Sequence, residues 1–85
     1  MKIKEAIVVR IQELCKQQDM KYNQLATRAG VTPSTVYSMM DPSRKDLSVI
    51  TLKKLLDGLE INMIDFFNCD LFRNLEQEIE WYSEV

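Results

Sequence analysis

The chain has 85 residues, 46% of them hydrophobic and broken by only two glycines and two prolines, which suits one compact, mostly helical domain and excludes a disordered tail. No stretch approaches the roughly 20 apolar residues that cross a bilayer, and the opening MKIKEAIVVRIQELCKQQD mixes charges into every turn, unlike a secretory signal; the expectation is a cytoplasmic protein with no membrane role. The formal net charge of −2 is unevenly divided, with ten Lys or Arg against six Asp or Glu in residues 1–58 and one against seven in residues 59–85, so the basic body suits a polyanion partner on one face.

Ile3, Ile7, Ile11 and Leu14, widened by Ala6 and Val8, recur at helical spacing and predict a first helix over about residues 4–17. YNQLATRAG predicts a short second helix with Leu25, Ala26 and Ala29 on one side, closed by Gly30, a residue that accepts the left-handed conformation at helix ends. Thr32 offers an oxygen to cap a third helix, and Pro33 fits its first position, where the missing N–H has no helical partner. In that helix Val36 and Met39 point inward, whereas Ser34, Tyr37 and Ser38 share the opposite, uncharged face. DPSRKDLS is a loop, since the residue before Pro42 is pushed out of helical geometry. Ser48 caps a fourth helix carrying the stripe Leu52, Leu55, Leu56 and Leu59, and Asn62 caps a fifth, MIDFF, with Asp65 in its first turn. From Asp70, Phe72, Leu75, Ile79 and Tyr82 fall on one side of a sixth helix or partial helix.

Two short helices joined by AGV, the second opening TPSTVY, form a helix-turn-helix, a unit whose first helix lies across the DNA backbone and whose second enters the major groove. QLATRAGVTPSTVYSMM, followed by TLKKLLDGLEINMIDFF, resembles the Cro/C1-type helix-turn-helix family of phage and bacterial repressors. The resemblance runs over residues 20–67, with residues 3–14 as the family's first helix. It implies an all-α, five-helix, lambda-repressor-like DNA-binding domain over residues 1–69, followed by a short acidic C-terminal helical extension over residues 70–85. It also implies base reading by Pro33, Ser34, Tyr37 and Ser38, and phosphate contact by Lys21, Tyr22, Thr32, Thr35, Ser43, Arg44 and Lys45. Where the family commonly carries Gln, Asn-Gly and Gly, this chain has Tyr22, Asp41-Pro42 and Glu60.

Physical reasons accompany the spacing. Ala26 and Gly30 are small enough for a close helix crossing, and short hydroxylic side chains suit a helix that must enter a groove about 12 Å wide. Each feature also has a plainer reading: Tyr37 as a packing aromatic, Arg44 and Lys45 as solvated loop charges, and the methionines as gap fillers. The tail could fold back on the first helix, pair with a second subunit or fray.

With no histidine, no glycine-rich phosphate loop and Cys15 and Cys69 far apart, the usual catalytic and zinc constellations cannot be assembled. Two reduced, partly buried thiols are expected, with no enzyme activity, metal or cofactor. The function expected is that of a sequence-specific transcriptional regulator, a repressor acting by steric block. It would bind double-stranded DNA at a palindromic operator as a homodimer, because two-fold pairing reads half-sites one turn apart. The alternative is a protein-interaction module, such as the antitoxin of a toxin-antitoxin pair, that captures a protein partner through residues 70–85.

Overall fold

The computed structural model describes residues 1–80, and within them the chain forms five α-helices and one 3-10 turn with no strand. The helices are α1 (Ile3–Gln17), α2 (Tyr22–Ala29), α3 (Pro33–Met40), α4 (Val49–Gly58) and α5 (Met63–Phe67), followed by the 3-10 turn Asp70–Phe72.

Local chemistry sets most of the helix ends. The side-chain oxygens of Thr32, Ser48 and Asn62 accept from the N–H groups of Thr35 (3.2 Å), Thr51 (3.2 Å) and Asp65 (2.8 Å), supplying partners to donors of the first turn, and the Thr35 N–H is shared with the Thr32 carbonyl at 3.0 Å. At α1 and α2 the reach is reversed: Glu5 and Gln24 accept from the N–H groups of Lys2 (3.2 Å) and Lys21 (2.9 Å), the second half of a capping box. Gly30 closes α2 at φ +71°, and the next N–H, of Val31, donates to the Ala26 carbonyl at 3.0 Å.

One core joins all five helices. Ile7, Ile11 and Leu14 of α1, Leu25 and Ala26 of α2, Val36, Met39 and Met40 of α3, Leu52, Leu55 and Leu56 of α4 and Phe66 of α5 are buried in it, with Leu59 just beyond α4. Phe66, Phe67 and Phe72 stack edgewise or tilted with centroids 4.8 to 5.8 Å apart, which holds the 3-10 turn against the domain. Arg10 closes the same corner, its guanidinium donating to the carbonyls of Phe66 (2.9 Å) and Asp65 (3.1 Å) at the end of α5. Cys15 is buried and Cys69 half-buried, both as free thiols, and burial pushes the Cys15 thiol above its ordinary pKa.

Three expectations are corrected. Ile3 is 40% exposed; the inward position at the start of the α1 stripe belongs to Lys4, in phase with Ile7, Ile11 and Leu14. Gly30 does not make the close crossing, for a Cβ there would meet nothing within 4 Å; at Gly58 it would lie 3.1 Å from the backbone N of Ala29. The extension's helix is confined to the turn Asp70–Phe72, and residues 73–80 are not helical. Glu76 and Glu80 would stand one turn apart in a helix, where like charges repel, and so short a segment needs a packed face to persist. Ile79 is instead exposed, and Trp81 and Tyr82 lie outside the described residues. The tail folds back on α1: the Glu76 N–H donates to the Met1 carbonyl at 3.0 Å, and the Met1 amino group pairs with the Glu76 carboxylate at 2.9 Å. Glu60, where the family commonly has Gly, takes φ +58°, a left-handed geometry that is unfavourable for a residue with a Cβ.

Gly58→Ala is therefore expected to destabilise the fold by roughly 1 to 3 kcal/mol through overpacking, although helix propensity alone favours Ala by about 1 kcal/mol. Urea unfolding decides the sign, and a stabilised variant would refute the close approach of α4 to the end of α2.

Candidate nucleic-acid interface

The inner side of α3 is fully committed, with Val36, Met39 and Met40 buried. Its outer side is open: Pro33 and Ser34 are exposed, Thr35 and Ser38 half-buried, and Tyr37 is 56% exposed. The Tyr37 side chain is therefore largely open to solvent, with one aromatic contact. Its neighbour is Tyr22 at the start of α2, edge-on at a centroid distance of 5.4 Å and an interplanar angle of 71°. That contact limits the rotamers of Tyr37 from one side. Tyr22 itself is half-buried and packs on the core.

Thr32 and Thr35 form a small hydroxyl pair at the head of α3, their Oγ1 atoms 2.9 Å apart, while Thr32 also caps the helix. Ser34, Thr35 and Ser38 then line a groove of about 330 Å³ together with Arg44, Asp46 and Ser48. Among the residues expected on sequence grounds, the structure thus gathers Ser34, Thr35, Ser38 and Arg44 along one groove and Tyr22 and Tyr37 into one pair. Lys45 does not line that groove; it lines a separate cleft of about 230 Å³ that Arg44 also borders. Lys21 is exposed at the entrance to α2. Ser43 is exposed, but its hydroxyl is occupied, donating to Asp41 Oδ1 at 2.8 Å while its N–H donates to the same oxygen at 2.9 Å.

These two bonds make a local Asx-type turn. The N–H and then the hydroxyl of Ser43, with smaller contributions from Arg44 and Lys4, hold the Asp41 carboxyl below its ordinary pKa. The Arg44 guanidinium stands 4.0 Å from the same carboxylate, an exposed pair that leaves most of the cation's donors free.

A residue not singled out by sequence reasoning positions this loop. Lys4 is only 8% exposed, and its ammonium donates to the carbonyls of Asp41 (3.0 Å) and Arg44 (2.6 Å). One buried cation thereby fixes both ends of the turn that presents Arg44, and its own charge needs those carbonyls as partners in a low-dielectric setting. The signal was present: Lys4 interrupts an otherwise apolar stripe in phase with Ile7, Ile11 and Leu14. A lysine in that register requires an acceptor arriving from elsewhere in the chain.

A two-helix unit with an uncovered outer face on its second helix, beside a loop that carries Arg44 and Lys45, is the architecture of a helix-turn-helix DNA-binding domain. The model of the Cro/C1-type HTH DNA-binding domain matches residues 10–70, and the chain belongs to this family of DNA-binding transcription regulators. The crystal structure of prophage Lp1 protein 11 is similar at a TM-score of 0.75 and 32% identity, covering 88% of this chain and 100% of that one. A mutant of the restriction-modification controller protein C.Esp1396I shares the fold at a TM-score of 0.68 and 20% identity, over 75% of this chain and 82% of that one. No curated protein sequence matches the chain. Among the described residues no helix is long and apolar enough to cross a membrane, and no three His, Cys, Asp or Glu side chains gather as a metal site.

Lys4→Met is expected to cost about 2 to 3 kcal/mol, since it removes two charge-assisted bonds and leaves two loop carbonyls without that donor. Urea unfolding and amide exchange at Ser43 and Arg44 measure the loss and its location. Because the Asp41 pKa is lowered on folding, its stabilisation of the turn is complete above the ordinary value of 3.8 and is lost as pH falls through the still lower folded value. An NMR titration of the Ser43 amide should move only in that acidic range; a midpoint above 3.8 would contradict the Asx geometry.

Proposed function

We propose that the chain is a sequence-specific repressor of transcription that inserts α3 into the major groove of a palindromic operator as a homodimer, in the cytoplasm. The observation that carries this reading is the uncovered, uncharged face of α3 beside the Arg44 and Lys45 side chains of the loop after it. Pro33, Ser34, Tyr37 and Ser38 meet base edges, where short hydroxyls and one phenol can donate or accept in the groove. Lys21, Tyr22, Thr32, Thr35, Ser43, Arg44 and Lys45 lie toward the phosphates and supply affinity and register rather than sequence information. Occupancy of the operator blocks polymerase by exclusion. Residues 1–69 act as the DNA-binding unit and residues 70–85 as an acidic appendage to it. Attachment of Glu76 and Glu78 to the first turn of α1 weighs against the other reading, in which the tail serves to capture a toxin.

Selection of bound duplexes from a random pool tests the whole proposal, and a palindrome is the expected result. Arg44→Ala and Lys45→Ala should each weaken binding to every sequence and reduce the slope of log affinity against log salt by about one. Tyr37→Ala should chiefly relax sequence preference. Titrations identical to the parent for all three variants would discard the interface.

A further inference from the structure

We infer that the acidic C-terminal segment is an internal competitor of DNA: it is pinned to the first turn of α1 so that the Glu78 carboxylate shares one cleft with Lys2, Arg44 and Lys45, where it opposes the approach of DNA phosphate. This rests on the DNA-binding reading above and adds a regulation of the same site.

The placement is specific. The Phe66, Phe67 and Phe72 cluster anchors the start of the segment. Beyond it, the Glu76 N–H bonds to the Met1 carbonyl at 3.0 Å, the Glu76 carboxylate pairs with the Met1 amino group at 2.9 Å, and Glu78 Oε2 accepts from the Ile3 N–H at 3.2 Å. The last contact puts a carboxylate on a free donor at the positive end of a 15-residue helix. The next residue, Lys4, is the one that holds the loop by its Asp41 and Arg44 carbonyls. Adjacent residues therefore fix the tail and the phosphate-contacting loop to one turn of helix, and the two meet across a cleft of about 230 Å³ bordered by Lys2, Arg44, Lys45 and Glu78. Glu5, which also borders it, is turned to the N–H of Lys2.

A fixed carboxylate in that cleft acts in two ways. It draws the neighbouring cations toward itself, and it repels an incoming phosphate. Both effects are independent of base sequence, so the tail lowers non-specific binding without altering the reading face of α3. For charges roughly 10 Å apart in water the Coulomb energy corresponds to about a twofold change in affinity per carboxylate, largest at low salt where screening is weak.

The test uses the full chain and a short mixed-sequence duplex, titrated at low and at high salt. Glu78→Gln keeps an amide oxygen for the Ile3 N–H while removing the charge, and it is compared with Glu76→Gln/Glu78→Gln. Glu13→Gln is the control, making the same charge change about 15 Å further along α1 at 1.5 Å rise per residue. The expected result is affinity raised about twofold by Glu78→Gln and about fourfold by the double variant at low salt, a gap that closes at high salt, and little change for Glu13→Gln. In the DNA-free protein, Glu78→Gln should shift the Arg44 and Lys45 amide resonances and Glu13→Gln should not. Binding by the parent with no gain in the variants, or an equal gain from Glu13→Gln, overturns the competitor role alone. Absence of DNA binding by parent and variants alike overturns the DNA-binding reading, and this one with it.

Discussion

The grip on α2 is the constraint from which the rest of the molecule follows. Leu25 and Ala26 are completely buried in a helix that packs against both α3 and α4, and burying a leucine alone is worth roughly 1.5 to 3 kcal/mol. At the end of that helix, Gly58 lets the last turn of α4 approach the backbone of Ala29 more closely than a side chain would allow. Packing this tight leaves α2 one seat, and the turn through Gly30 then gives α3 one direction. Val36 and Met39 lock α3 from within, so Ser34 and Tyr37 face outward by necessity. That outward face carries no charge, and the nearest loop supplies Arg44 and Lys45 beside it; in the function proposed, the first follows base edges while the second attracts phosphate.

Electrostatics is organised around a second fixed point, the first turn of α1. The Lys4 ammonium is buried yet satisfied by two carbonyls, which turns an otherwise costly group into a clamp. Ile3 and Met1 on the same turn receive the acidic tail. The basic body and acidic end visible in the charge distribution are thus not two separate regions in space. They meet at one cleft, bordered by Arg44 and Lys45 of the loop and by Glu78 of the tail.

Much of the fold was legible because the relevant physics is local. The caps Thr32, Ser48 and Asn62, the proline at the first position of α3 and the left-handed Gly30 each depend on residues within one turn, and all stand where the pattern placed them. The Leu52 to Leu59 stripe was equally plain, since periodicity reports burial directly. The misplaced readings share a cause in contacts between distant residues. Ile3 was placed in the apolar stripe and Lys4 was not singled out, because the carbonyls that hold Lys4 belong to residues some forty positions away. Gly30 was credited with a close approach that belongs to Gly58, because the partner backbone cannot be seen in a linear pattern. The tail's apolar spacing suggested more helix than forms, because no packed face receives Ile79 and the segment gains its bonds at Met1 and Ile3 instead.

By itself the sequence determined the five helices, their caps, the apolar seam and the hydroxyl-bearing face of α3, all consequences of backbone hydrogen bonding and side-chain period within a few residues. Only the tertiary structure decided that Tyr22 steadies Tyr37, that Lys4 holds the Arg44 loop, that Arg44 but not Lys45 lines the groove beside α3 and that the acidic end returns to the basic body. These depend on which distant surfaces come together as the core closes. That outcome is set by packing of the whole chain and by the need of each buried polar group for a partner, so no single segment contains it.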